Sequence, residues 1–313
     1  MKRHYIEHRR TDRQHGVAIV LAMGVVALAA LIATAIVIAQ GSWTRQVELG
    51  AQHTQATHML DAGLEWARAV LGDDRRSSTV DHLGEPWAMQ LPAIPVENGS
   101  LIGHIEDEQG KFNLNNLLQD GKINLTGLTQ FRRLLVILAL PPTLADTLAD
   151  WLDSDSEPQP QGGAEDAFYL SQPAPMLTAN QPLVDIAELA VVAGFDDSVR
   201  LRLRPFVTAL PGITAINVNT ATPEVLAAMV EGLSLDTARA ITAQREHIYF
   251  RSVADFRENI PQELSVANEN IAVSSDYFLA TLRVTLGDAQ TQGTALLSRK
   301  RIGWPTILWR KNP

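Results

Sequence analysis

Residues Val17 to Ala39 read VAIVLAMGVVALAALIATAIVIA, 23 positions without a charge. A helix rises about 1.5 Å per residue, so this run spans the roughly 30 Å hydrocarbon core of a bilayer. Backbone polar groups find no partners in hydrocarbon, which leaves a helix as the structure open to it. The charge flanking it sets the orientation. Residues 1–16 carry Lys2, Arg3, Arg9, Arg10 and Arg13 against Glu7 and Asp12, a net +3, in a chain of 313 residues whose total is −9. The positive-inside rule keeps this leader in the cytoplasm and sends the remaining −12 across the membrane. The apolar run exceeds the usual 7–15 residue core of a cleaved secretory signal. The chain has no cysteine, which excludes disulfides, thiolate zinc sites, iron–sulfur clusters and cysteine nucleophiles. Its acidic balance disfavours general nucleic-acid binding.

The basic leader ends at Gly16, and the apolar run begins at Val17 with no spacer. This resembles the type IV prepilin class, in which a dedicated prepilin peptidase cuts after that glycine and the helix is retained. The resemblance implies cleavage between Gly16 and Val17, with methylation among the class's modifications. Most members carry a Glu at the fifth mature position; here that position is Leu21. An intramembrane carboxylate is costly unless paired, and in that class its partner is thought to be a neighbouring subunit's N-terminal amine. A subunit with no neighbour above it gains from an apolar residue there. The plainer reading is that Leu21 is one more lipid-facing side chain.

Beyond the membrane run, Leu49, His53, Ala56, Leu60, Leu64, Ala67 and Leu71 recur at three- and four-residue spacings. This predicts a continuing amphipathic helix, a spine, that stops at Gly72-Asp73-Asp74. Alternation in Ser100–Asp107 and Lys111–Leu114 around Glu108-Gln109-Gly110 predicts a hairpin. Tyr277–Leu286 and Gln292–Arg299 alternate in the same way around Gly287–Gln290, and Trp304–Trp309 suggests a last short strand. The segments between read as helices: Thr126–Ala139, Pro142–Leu152, Pro182–Ala193, Asp197–Pro205, Pro223–Glu231, Leu235–Gln244 and Val253–Glu258. The expected fold is α+β: a long N-terminal helix with a small antiparallel sheet, interrupted by a large inserted all-helical domain. Its divisions are a leader (1–16), a membrane part (17–39), spine and first strands (40–118), the insertion (119–272) and C-terminal strands (273–313).

Several ordered motifs carry a more specific resemblance. They are Asp107-Glu108-Gln109-Gly110-Lys111-Phe112-Asn113-Leu114-Asn115; Asp150-Trp151-Leu152-Asp153-Ser154-Asp155 followed by Gly163-Ala164-Glu165-Asp166 and Tyr169; Ala179-Asn180-Gln181-Pro182-Leu183 leading to Glu188-Leu189; and Ile216-Asn217-Val218-Asn219-Thr220-Ala221. Together they resemble the type II secretion system protein K family, the large minor pseudopilins. The resemblance covers residues 10–286. It implies a pilin-like fold and a place at the tip of a short periplasmic pseudopilus, where the protein initiates assembly and supports export of folded proteins across the outer membrane. Implied partners are minor pseudopilins I and J, the major pseudopilin, the inner-membrane assembly platform and the secreted substrate. The implied location is the bacterial inner membrane, single-pass, with the C-terminal domain in the periplasm.

From Asp150 to Asp166 there are six acids and no Lys or Arg. Carboxylates at that density repel unless solvated or screened by a cation. Oxygen ligands without His or Cys select a hard ion such as Ca²⁺. Asp153, Asp155 and Glu157 have the one-three-five spacing of an EF-hand, but Pro158 stands where glycine is needed and Ala164 at position twelve. By composition, a solvated acidic loop and a metal loop both remain open. The family resemblance implies structural calcium, with Asp153, Asp155, Glu165 and Asp166 as candidate ligands and Glu157 and Asn180 as further ones.

Two segments, Ile186–Pro205 around Gly194 and Val218–Arg245 around Gly232, resemble helix-hairpin-helix units, which suggests a membrane-tethered DNA receptor as a rival. Residues 217–260 hold four Arg against six acids, so the cations that dominate phosphate binding are missing. These hairpins, like Trp66, Trp151, Trp304 and Trp309, read better as packing elements. Another rival is the tip pilin of a type IV pilus. No spacing places a nucleophile beside a base, so no enzymatic activity is expected. Asn113, Asn115, Asn116, Asn217 and Asn219 read as backbone-satisfying residues where sheet and insertion meet.

Overall fold

The computed structural model describes residues 11–90, 92–264, 266–300 and 303–312, so residues 1–10 of the expected leader lie outside it. Its helices are α1 (Thr11–Ser77), α2 (Leu125–Ile137), α3 (Leu144–Leu152), α4 (Asp166–Leu170), α5 (Asp197–Leu203), α6 (Pro223–Met229), α7 (Leu235–Arg245) and α8 (Val253–Glu258). The strands begin with β1 (Ile94–Val96), β2 (Gly99–Asp107), β3 (Phe112–Asn113), β4 (Leu118–Gln119), β5 (Lys122–Ile123) and β6 (Val207–Thr208). They continue with β7 (Ile216–Asn217), β8 (Ile271–Ala272), β9 (Tyr277–Leu286), β10 (Ala289–Ser298) and β11 (Thr306–Lys311).

The 67 residues of α1 extend about 100 Å. From Gly16 onward this helix is long and apolar enough to cross a membrane, and its apolar residues from Val17 to Ile38 are exposed. The Gly16–Val17 bond and Leu21 lie within that exposed stretch. Packing begins at Ala56: Ala56, Leu60, Leu64, Ala67 and Leu71 form one buried stripe against β9 and β10. Leu49 and His53, expected on the same face, are exposed because the sheet ends beside Gln52, where the β9–β10 turn at Gly287 touches the helix. Nor does the helix stop at Gly72-Asp73-Asp74. Gly72 lies against Pro305 and Asp74 pairs with Arg299 at 2.5 Å, and these tertiary contacts carry the helix to Ser77.

The sheet has the order β1-β2-β9-β10-β11 with every neighbouring pair antiparallel. One face packs on α1 through Ile105, Phe278, Ala280, Leu282, Val284, Ala295 and Leu297. The β9–β10 hairpin turns on Gly287-Asp288 alone, tighter than the four residues expected. The first hairpin differs more. The partner of β2 lies upstream, in β1 across Glu97-Asn98, with Asn98 at φ +60°. After Asp107 the chain makes a 3-10 turn, Glu108–Gly110, and β3 pairs in parallel with β6 instead of returning along β2. The Asp107 carboxylate accepts from Gln109 N at 2.8 Å and fixes that turn, while Phe112 is drawn into the helical core, stacked on Phe131 at 5.5 Å.

That core also contains Phe112, Leu114, Leu117 and Leu118, from the segment that precedes residue 119. The inserted unit is not all-helical. The parallel pairs β3–β6 and β7–β8 and the small ribbon β4–β5 close it where the chain enters and leaves. The helix expected over Pro182–Ala193 is a 3-10 segment, Ile186–Val191, held by a reciprocal cap between Asp185 and Glu188. α4 had no periodic signal and was not foreseen. The hairpin glycines have positive φ, Gly194 +79° and Gly232 +81°, and pack against Leu144 and Leu264.

Sheet and insertion meet at a buried polar joint. Asp107 Oδ2 accepts from Ser275 Oγ at 2.6 Å, Thr220 Oγ1 at 2.6 Å and Asn217 Nδ2 at 3.0 Å. The asparagines do the backbone work read from their positions. Asn113 Oδ1 accepts from Leu210 N, Asn115 Oδ1 from Leu183 N, Asn116 Oδ1 from Thr214 N and Asn219 Oδ1 from Phe250 N. Burial pushes the Asp107 carboxyl up to about 6, against the donors that pull it down.

Candidate metal centre

The acidic loop bridges two helices whose packing is fixed by apolar residues. Trp151 near the end of α3 meets Tyr169 of α4 edge-on at 5.0 Å, and the Tyr169 hydroxyl accepts from Ala193 N at 3.1 Å. Asp153 follows the last residue of α3, and Glu165 precedes the first residue of α4. The packing therefore drives two acids from opposite ends of the loop toward one point. Asp153, Asp155 and Glu165 each bring a carboxylate oxygen to within 4.8 Å of the others. Asp153 is 1% exposed and Glu165 6%, whereas Asp155 is exposed.

Both oxygens of Asp153 and both of Glu165 lack a hydrogen-bond donor among the described residues. Four buried carboxylate oxygens without a partner are expensive in any protein. On α3 the neighbouring acid Asp146 has its own counter-charge, Arg132 at 2.5 Å, whereas no ion pair reaches Asp153 or Glu165 among the described residues. Burial, and then the mutual repulsion of the loop's acids, pushes Asp153 up to about 6 and Glu165 to about 7. Without a cation the folded site favours protonated acids. A hard divalent ion removes that conflict, and three carboxylates offer up to six oxygens to an ion that takes six to eight.

The loop is braced from behind. Asp150, fully buried, accepts from Gln159 N at 3.0 Å, and burial pushes its carboxyl up to about 6. A side chain at Gly163 would strike the Asp150 carboxylate and the Gln159 backbone, so the close approach requires glycine. Among the described residues the cluster does not include the other expected ligands. Asp166 Oδ1 is held by Thr178, from N at 2.9 Å and Oγ1 at 2.7 Å, and these bonds lower its pKa. Glu157 is exposed, and its backbone N donates to Asp155 Oδ1 at 2.9 Å. Asn180 is exposed at φ +49°, and its N donates to Trp151 O at 3.1 Å, which leaves it beside the end of α3.

Sequence reasoning missed a second acidic cluster. Asp74, Asp81 and Glu85 gather at the top of α1, but the buried Arg299 lies among them. Its guanidinium bonds Asp74 at 2.5 Å and also Asp81, donates to Ser275 O, and lies over the Phe278 ring at 4.5 Å. The available signal was an arginine closing an alternating apolar strand, at the end of β10. Of the tryptophans, Trp151 is buried, Trp304 lies under Arg68, and Trp66 is 45% exposed rather than packed.

Two family models described as type II secretion system protein K match residues 110–212 and 216–274. Type II secretion system protein K of Pseudomonas aeruginosa is 36% identical over 309 residues, covering 95% of this chain and 92% of the relative. The protein of the same name from Klebsiella pneumoniae is 33% identical, covering 92% and 93%. Among solved structures, a chain of the GspK-GspI-GspJ complex from enterotoxigenic Escherichia coli superposes with a TM-score of 0.75 at 26% identity. That match spans 86% of this chain and 99% of the solved one. With 36% identity over 95% of its length, and with the fold in common, this chain belongs to the type II secretion system protein K family.

Proposed function

We propose that the protein is the tip subunit of a type II secretion pseudopilus, assembling with minor pseudopilins I and J, and that calcium structures its inserted domain. The carrying observation is the likeness to a chain of the GspK-GspI-GspJ complex, whose whole length is spanned. After cleavage at Gly16–Val17 by the prepilin peptidase, the apolar part of α1 stays in the inner membrane and the remainder stands in the periplasm. The exposed apolar face of α1 packs beside other pseudopilin helices, including the major pseudopilin, on the assembly platform. On this reading the bulky inserted unit would hinder addition of another subunit, and Leu21 presents no carboxylate to pair with one. Both features suit a subunit that starts a fibre and supports export of folded proteins. The role is assembly and not catalysis.

The cation's role is in folding. Asp153, Asp155 and Glu165 would hold it, and it would supply the positive charge that the loop lacks. Assembly is tested by co-expressing the full chain with minor pseudopilins I and J and purifying in detergent through a tag on one partner. A stoichiometric three-protein complex is expected. Association instead with type IV minor pilins, or duplex-DNA affinity at physiological salt, would replace this reading with one of its rivals.

A further inference from the structure

Residues 289–313 contain Arg299, Lys300, Arg301, Arg310 and Lys311 and no Asp or Glu, although the whole chain is −9. Three of these bases reach acids in three different parts of the fold. Arg299, 2% exposed, binds Asp74 of α1 and Asp81 in the loop after it. Arg310 pairs with Asp61 on α1 at 2.6 Å. Lys311 pairs at 2.7 Å with Asp185, the capping residue of the 3-10 segment in the inserted domain, and lies over the Trp309 ring at 5.2 Å. Lys311 and Asp185 stand on the two walls of a cleft of about 1180 Å³ between the outer sheet face and the insertion. β11 is an edge strand, bonded to β10 alone.

The anchors differ in kind. Arg299 is buried among its acids, so the root of the segment is fixed. The Arg310 and Lys311 side chains are 38% and 52% exposed, so their pairs are weak and screened by salt. We propose that the segment from Arg299 through β11 is a releasable electrostatic strap, rooted by Arg299, in which β11 fastens the inserted domain to the sheet through Lys311 and Asp185. Opening of β11 and loosening of the Asp185–Val191 segment are then one event, which widens the cleft between the two units.

Hydrogen exchange of the full chain in detergent, followed by mass spectrometry, tests the coupling. Lys311→Glu should accelerate exchange in peptides covering both 304–312 and 182–191, by up to about fivefold, the size of an exposed ion pair. Lys311→Arg should leave both at the wild-type rate. Raising salt to about 1 M, where the screening length is near 3 Å, should accelerate both peptides in wild type but should no longer accelerate 182–191 in Lys311→Glu, where only the Arg310–Asp61 pair on β11 is left to screen. Acceleration of 304–312 alone in Lys311→Glu would reduce β11 to a fraying edge strand and overturn the strap. Equal salt acceleration of 182–191 in wild type and Lys311→Glu would also overturn it.

Discussion

The molecule contains two clusters of buried acids, and they solve the same electrostatic problem differently. At the top of the spine, Asp74 and Asp81 are neutralised from within by Arg299, itself bonded to Ser275 O and covered by Phe278. In the insertion, Asp153 and Glu165 are as deeply buried, yet no donor reaches their oxygens among the described residues. Three carboxylates within 4.8 Å of one another do not by themselves mark a metal site, since both clusters meet that description. What separates them is whether the chain supplies the counter-charge. The pilin-like unit carries its own cation, and on the proposed reading the inserted unit would borrow one.

The largest expected effect comes from turning the first cluster into the second. Arg299→Met leaves Asp74 and Asp81 buried without a cation, which costs about 3–5 kcal/mol and should lower the melting temperature of the full chain steeply. Calcium should not rescue this variant, because the site is built around a guanidinium. Next in size is withdrawal of the proposed cation. At a calcium concentration about 100 times its dissociation constant, binding contributes about 2.7 kcal/mol, which chelation should remove. Asp153→Ala should abolish that calcium response, while Glu157→Ala and Asn180→Ala should keep it, since neither residue lies in the cluster. Gly163→Ala forces a methyl group against the Asp150 brace and should cost about 1–3 kcal/mol in thermal or denaturant melts.

The pH dependence distinguishes the two loading states by its sign. Asp153 and Glu165 in the cation-free fold titrate at about 6 and about 7, above their values of 3.8 and 4.5 in an unfolded chain. The folded state therefore binds more protons across that window. Stability from these groups is complete below pH 4 and is lost as pH rises through 6 to 7. Melts in chelator should show this site favouring acid. With calcium bound the slope reverses, because the ion competes with protons and its affinity falls as pH drops through the same range.

Much of this was legible in the sequence, and the errors share a cause. The long apolar helix and the pairing of β9 with β10 were legible because each segment carries its own pattern, although the turn between the strands is tighter than expected. The supposed hairpin from Ser100 to Leu114 failed because alternation shows that a segment is a strand but not which strand it meets; Phe112 found the helical core instead. The spine's stop at Gly72 failed for a related reason, since Pro305 and Arg299 come from the far end of the chain. For the acidic loop, composition located the region and resemblance suggested an ion. Neither could tell that Asp166 would be captured by Thr178 twelve residues on, or that Asp150 would brace the loop rather than face its centre.

The contrast between the clusters is tested most directly by melting the full chain in detergent at pH 7.5, with excess calcium and then with excess chelator, in wild type and Asp153→Ala. The account predicts that calcium raises the wild-type unfolding temperature by several degrees and leaves Asp153→Ala unmoved. An identical unfolding temperature for wild type with and without calcium would show that the inserted acids need no borrowed cation, and the contrast with Arg299 would fall.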